Sequence, residues 1–294
     1  MALWTPVPEG SMERSVEGRE SLETANPGLS QQSLGRELTD LTAELQGLVA
    51  EYPDLTPGVA VVDVATGDYV KIGQDRPFAA ASTIKIPILV AFFQAVDGGQ
   101  VRLDERLELR ESHMAGGAGR LQDEGPGLEL SALEVATLMM TESDNTATNM
   151  LIERLGGMET LNQRFRQWGM GETLLQDWLP DLQGSNQTTP QELAGMLGQI
   201  ERGELLSMAS RDRMLRIMML TENNRLLPQG LGTGAVIAHK TGNLRFILAD
   251  AGLVDVVNGQ RYVVVTLVER PEYDEEAVTL IRELSARVYG YFAP

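Results

Sequence analysis

From Ala235 to Val268 the chain reads AVIAHKTGNLRFILADAGLVDVVNGQRYVVVTLV. The runs Ala235 to Thr241, Phe246 to Val257 and Arg261 to Val268 have strand length and are rich in β-branched residues. The last two are joined by Asn258-Gly259, a dipeptide that tolerates the positive φ angles of a tight hairpin turn. Gly58 to Val64 and Tyr69 to Ile72, joined at Ala65-Thr66-Gly67-Asp68, read as a second hairpin near the other end of the chain. Leu38, Leu41, Leu45 and Leu48 mark one face of a helix over about residues 34–51, and Ala277, Leu280, Leu284, Val288 and Tyr291 mark another at the end. The middle carries helical spacing from Ser82 to Val96, Ala132 to Thr141, Asn145 to Leu155, Met158 to Trp168 and Pro190 to Glu201. Strands at both ends with helices between them predict an α+β chain, an α/β sandwich. One antiparallel sheet is assembled from the two ends and covered by the terminal helices, with a helical lobe inserted.

The 294 residues are 43% hydrophobic, enough for a sizeable core. A net charge of -18 argues against nucleic acid or an anionic membrane surface as partner, since both would repel it. The absence of cysteine excludes disulfides and thiolate chemistry, and His113 and His239, far apart, make a metal centre unexpected. Any catalysis must use hydroxyls, amines and carboxylates, with no cofactor. No apolar stretch reaches the roughly 18 to 20 residues of a membrane span. Met1 to Pro8 has neither a basic nor an apolar signal-peptide region, so no export signal is expected. Residues 1–33, polar and rich in Gly, Ser and Pro, are expected to be a disordered tail or an expression remnant.

Of the 24 cationic residues only Lys71, Lys85 and Lys240 are lysines. Arginine keeps its proton in a protein, whereas a desolvated lysine can lose it. Ser82-Thr83-Ile84-Lys85 puts a hydroxyl and an amine one helical turn apart, so Lys85 can reach Ser82 as the base that activates it. The competing reading is an N-cap serine and a solvated lysine, against which stands the apolar continuation Ile86-Pro87-Ile88-Leu89-Val90. Ser143-Asp144-Asn145, between two helical segments, read alone is a helix cap. Lys240-Thr241-Gly242 lies on a predicted strand.

The ordered set S-x-x-K, S-D-N and K-T-G resembles the class A β-lactamases and penicillin-recognising serine hydrolases. The likeness extends through Gly119-Arg120-Leu121, the helix Leu130 to Met140, Asn149, Leu155-Gly156-Gly157, Thr188-Thr189-Pro190 and His239 to Gly242. It implies a domain over residues 34–294: a five-stranded antiparallel sheet with flanking helices (about residues 34–80 and 205–294) and an all-helical lobe (about residues 81–204). It also implies roles. Ser82 would be the acylated nucleophile, Lys85 its proton acceptor, Ser143 the proton carrier to the leaving nitrogen and Lys240 an electrostatic partner. Asn145 would hold the substrate side-chain amide, Thr241 its carboxylate, and the N–H groups of Ser82 and Asn243, the latter following Gly242, the oxyanion.

The chain departs from the family in its omega loop. Asp177-Trp178-Leu179-Pro180-Asp181-Leu182-Gln183 places Leu179 where the resemblance calls for the deacylating glutamate. Asp181 and Glu142 are the candidate replacements, and the arginine–aspartate clamp of the loop neck corresponds to Asp177 and Asn186, which could be joined by a neutral hydrogen bond. Asp250 stands where many relatives place a carboxylate-binding arginine, with Arg245 or Arg225 as possible substitutes. The resemblance implies a monomer acting on a β-lactam or peptidoglycan-like substrate in a periplasmic or extracellular setting. A D,D-peptidase or esterase with slow deacylation, and a non-catalytic binding module, are the alternatives.

Overall fold

The computed structural model describes residues 35–293 apart from residue 74, so the tail expected over residues 1–33 lies outside the described residues. Five strands, β1 (Thr56–Asp63), β2 (Tyr69–Ile72), β3 (Val236–Leu244), β4 (Ile247–Asp255) and β5 (Arg261–Glu269), form one sheet in the order β2-β1-β5-β4-β3. Every pairing is antiparallel. The two ends of the chain therefore meet in the middle of the sheet, where Val61 of β1 pairs with Val264 of β5. Strand β3 runs beyond Thr241, because Gly242, Asn243 and Leu244 find ladder partners in Ala249, Leu248 and Ile247. Pairing there overrides the turn preference of Gly and Asn.

Side chains of a strand alternate between faces. On one face Val59, Val61, Val264 and Val268 pack with α1 (Thr39–Val49) and α8 (Glu276–Phe292) through Leu41, Leu45, Leu280 and Leu284. On the other, Ala249, Ala251, Val263 and Val265 join the larger core built by α2 (Lys85–Asp97), α3 (Ala132–Thr141), α4 (Asn145–Arg154), α5 (Gly157–Gln167), α6 (Pro190–Glu201) and α7 (Met208–Met218). Helix α1 starts later than its leucine spacing suggests, because the chain before it is extended and bonds to β2 (Leu38 N–H to Tyr69 O, 2.8 Å). Helix α7 has no counterpart in the sequence reading. Its buried face, Ser210, Met214, Ile217 and Met218, is flanked by three arginines and Asp212, which make the segment polar overall. Thr189 caps α6 by accepting from the Glu192 N–H at 3.1 Å, with Pro190 in the first turn.

Helix α2 is buried on nearly every side from Lys85 to Phe93. It is the axle of the helical region, and it carries the first sequence motif into the interior.

Candidate active site

Ser82 lies in a 3₁₀ turn, Ala81–Ile84, and Lys85 is the first residue of α2. The serine therefore does not cap the helix; no cap bond is made by its side chain, and the preceding Ala81 has a left-handed φ of 46°. Lys85 is fully buried. Its Nζ donates to Ser143 O at 2.5 Å, to Asn145 Oδ1 at 2.8 Å and to Ser143 Oγ at 3.1 Å, and Ser143 Oγ donates to Ser82 Oγ at 3.0 Å. The link from Lys85 to Ser82 thus passes through Ser143, where the spacing had suggested a direct reach.

The S-D-N segment folds this way because of its middle residue. Asp144, with no exposed surface, caps α4 by accepting from the Ala147 N–H at 2.8 Å, and its other oxygen accepts from the Leu121 N–H at 2.8 Å. Gly119 makes this possible, since a Cβ there would stand 2.2 Å from the Asp144 side chain. Pinned from both sides, the chain turns Ser143 into a left-handed conformation, φ 58°, which aims its hydroxyl at Ser82. Such backbone costs about 1 to 3 kcal/mol and persists only where the surroundings over-determine it. Asn145 is held at both ends of its amide, by Lys85 and by Gly116 O at 2.9 Å.

The third motif is on the edge strand. Gly242 lies against the Ser82 turn: a Cβ there would meet Ala81 Cβ at 3.0 Å and Ser82 N at 3.2 Å. A side chain there would press strand and turn apart by a few tenths of an ångström. Lys240 is buried, and its Nζ donates to Thr241 O at 3.0 Å. Thr241 is buried beside it, whereas Asn243 is exposed. Burial, with the charge of Lys240 second, holds Lys85 well below the ordinary lysine range, against the opposing pull of Asp144. Burial lowers Lys240 as well, to about 8, while Asp250 supports its charge.

Asp250 itself turns away from solvent: its carboxylate meets His239 Nδ1 at 2.8 Å and the Leu227 N–H at 3.1 Å. Arg245 and Arg225 are exposed and face Glu272 at 3.7 Å and Glu275 at 2.6 Å respectively.

In the omega loop Leu179 is buried, 6% exposed. Asn149, one helical turn beyond Asn145, grips its backbone on both sides, accepting from the Leu179 N–H at 3.0 Å and donating to Leu179 O at 2.8 Å. The i, i+4 spacing of the two asparagines was the available signal for this role. The Asp181 carboxylate accepts from Ser185 N–H, Ser185 Oγ and Asn186 N–H at 3.0, 2.9 and 2.7 Å. Glu142, half-buried, faces Arg120 at 3.5 Å. The loop neck is closed by Asn186, whose amide bonds the backbone of Gln176 and Asp177. The Asp177 carboxylate instead accepts from the Trp178 N–H at 2.8 Å.

An all-antiparallel sheet whose edge lies on a serine-bearing turn, with two buried lysines and a second serine converging there, defines a serine hydrolase of the penicillin-recognising kind. The profile of the family described as the beta-lactamase enzyme family matches residues 40–292, and the chain belongs to that family. Beta-lactamase VEB-1 of Pseudomonas aeruginosa is 25% identical over 256 residues, 80% of this chain and 85% of the relative. Among solved structures, a leucine-to-glutamate mutant of PBP-A, described as an acyl-enzyme complex with penicillin G, is 50% identical with a TM-score of 0.86, covering 89% of this chain and 99% of that one. A class A β-lactamase described as that of the last common ancestor of Gram-negative bacteria is 27% identical with a TM-score of 0.79, covering 86% of this chain and 99% of that one. Among the described residues no helix is long and apolar enough to cross a membrane.

Proposed function

We propose that the protein opens β-lactam rings by acylating Ser82 and releases the acyl group slowly. The observation that carries this reading is the hydrogen-bonded line Lys85–Ser143–Ser82, which ends on an amine held well below its ordinary range by burial. With Lys85 neutral, the Ser82 proton passes to Ser143 Oγ as the Ser143 proton passes to Lys85 Nζ. The Ser82 oxygen bonds to the lactam carbonyl carbon, and the N–H groups of Ser82 and Asn243 receive the negative oxygen. The carbon–nitrogen bond then breaks, and the proton returns from Lys85 through Ser143 to the leaving nitrogen. Charged Lys240 and the Thr241 hydroxyl take the substrate carboxylate, and Asn145 orients the side-chain amide.

Slow release follows from the omega loop. Leu179 supplies no proton acceptor, the Asp181 oxygens are engaged by three loop donors, and Glu142 has Arg120 as its partner. Losing a general base slows a step by about 10² to 10⁴. The same feature favours a second reading, a D,D-peptidase acting on peptidoglycan-like peptides, for which a long-lived β-lactam adduct marks inhibition. Time-resolved intact-mass spectrometry with penicillin G tests the proposal. The expected result is rapid gain of one penicillin mass, absent in Ser82→Ala and decaying slowly. No adduct overturns acylation, and an adduct that vanishes as fast as it forms overturns slow release. Turnover of a synthetic D-Ala-D-Ala peptide decides for the second reading.

A further inference from the structure

We propose that Arg270 is a positioning residue for acylation, fixing the end of the edge strand that presents the Asn243 N–H to the reacting carbonyl. This rests on the acylation reading above.

Arg270 follows β5 directly and is only 6% exposed. Its Nη2 donates to Asn243 Oδ1 at 2.6 Å and to Leu244 O at 3.1 Å, and its Nη1 donates to Asp274 O at 3.1 Å. Its backbone N–H donates to Phe246 O at 3.0 Å, and two further ties join the same segments: Tyr273 N–H to Arg245 O at 2.7 Å, and Arg245 to Glu272. Strands β5 and β3 are not neighbours, since β4 lies between them. Residues 270–274 therefore form a strap that passes around the start of β4 and clasps the last residues of β3.

Three observations separate this strap from an ordinary loop. An edge strand is held by a ladder on one side only, so the end of β3 has no second strand to fix it, and Arg270 is its other hold. The guanidinium bonds to neutral oxygens, and its Nε is buried without a hydrogen-bond partner. The Tyr273 ring lies 5.8 Å from the guanidinium, yet the buried, unbonded Nε costs stability, which is understandable where a forked donor must grip a side-chain amide and the next carbonyl together. Finally, Tyr273 has a left-handed φ of 54°, one of the three non-glycine residues so placed among the described residues; the others are Ala81 and Ser143 of the site itself. Backbone strain thus falls at the nucleophile turn, at the proton carrier and at the strap.

The test compares stopped-flow acylation by a chromogenic cephalosporin, resolved into a dissociation constant and an acylation rate constant, in wild type, Arg270→Gln, Asn243→Ala and the double variant. Asn243→Ala keeps the backbone N–H but removes the handle that Arg270 holds; being exposed, it leaves the core intact even if Arg270→Gln fails to fold. A displaced donor costs roughly ten- to hundredfold in rate. The expected result is a loss of at least about tenfold in the acylation rate constant for each single variant, dissociation constants within about twofold, and a double variant no slower than the worse single. An unchanged acylation rate constant in Asn243→Ala, or losses that multiply in the double variant, overturns the proposal. Wild-type protein that forms no Ser82 adduct overturns instead the reading on which it rests.

Discussion

Two lysines are buried near one another, and their neighbours act on them differently. Lys85 is desolvated and faces the cation of Lys240, while Lys240 is desolvated but faces Asp250. Lys85→Arg is expected to abolish the penicillin adduct, because a guanidinium cannot accept the proton. Lys240→Arg keeps the charge and is expected only to slow adduct formation; intact mass at fixed time points checks both. The acylation rate should fall as pH rises through about 8, where Lys240 loses its proton. Asp250 supports that proton, so Asp250→Asn lowers the affinity of Lys240 for it and moves the alkaline limb of the pH–rate profile to lower pH. A profile that keeps its alkaline limb in place would show that Asp250 serves only its bonds to His239 and Leu227. The serines, lysines and Asn145 were legible as a set because each motif is short and local. Arg270, twenty-seven positions from Asn243, was not, since nothing in its local sequence announces a partner across the sheet.

The omega loop shows how a backbone can be held while a side chain is free to differ. Asn149 grips both backbone polar atoms of Leu179, so the residue's place does not depend on its side chain. Leu179→Glu should therefore put a carboxylate where the leucine points and shorten the adduct lifetime by about 10² or more, read by the same mass measurement. A lifetime that stays unchanged would mean that no water is reachable from that position. Helices α3 and α6 match their sequence limits, and the Asn258-Gly259 turn joins β4 to β5 as read. The omissions were α7, whose apolar face is flanked by charge, and the last residues of β3, where the ladder outweighed turn preference. The 3₁₀ entry to α2 was also missed, because Gly242 presses on that turn from a distant strand, and helical spacing does not register such a constraint.

For the molecule as a whole, burying two lysines is a standing cost to the fold. Lys240 titrates at about 8 when folded and at its ordinary 10.5 when unfolded, so between those values the unfolded chain binds the extra proton and stability rises with pH. Lys240→Met removes this dependence. Its stability advantage over wild type should be largest at pH 7 and shrink towards pH 10, as measured by urea unfolding across that range. The two-ended sheet was legible because alternating apolar strands at both ends need a common partner, and it also dictates when the molecule can exist. Strand β1 waits about two hundred residues for β5, its partner in the centre of the sheet, so the order of synthesis is not the order of assembly. A chain halted just before Arg261 already holds Ser82, Lys85, Ser143, Lys240 and Asn243, yet lacks the one strand that joins its first hairpin to its last.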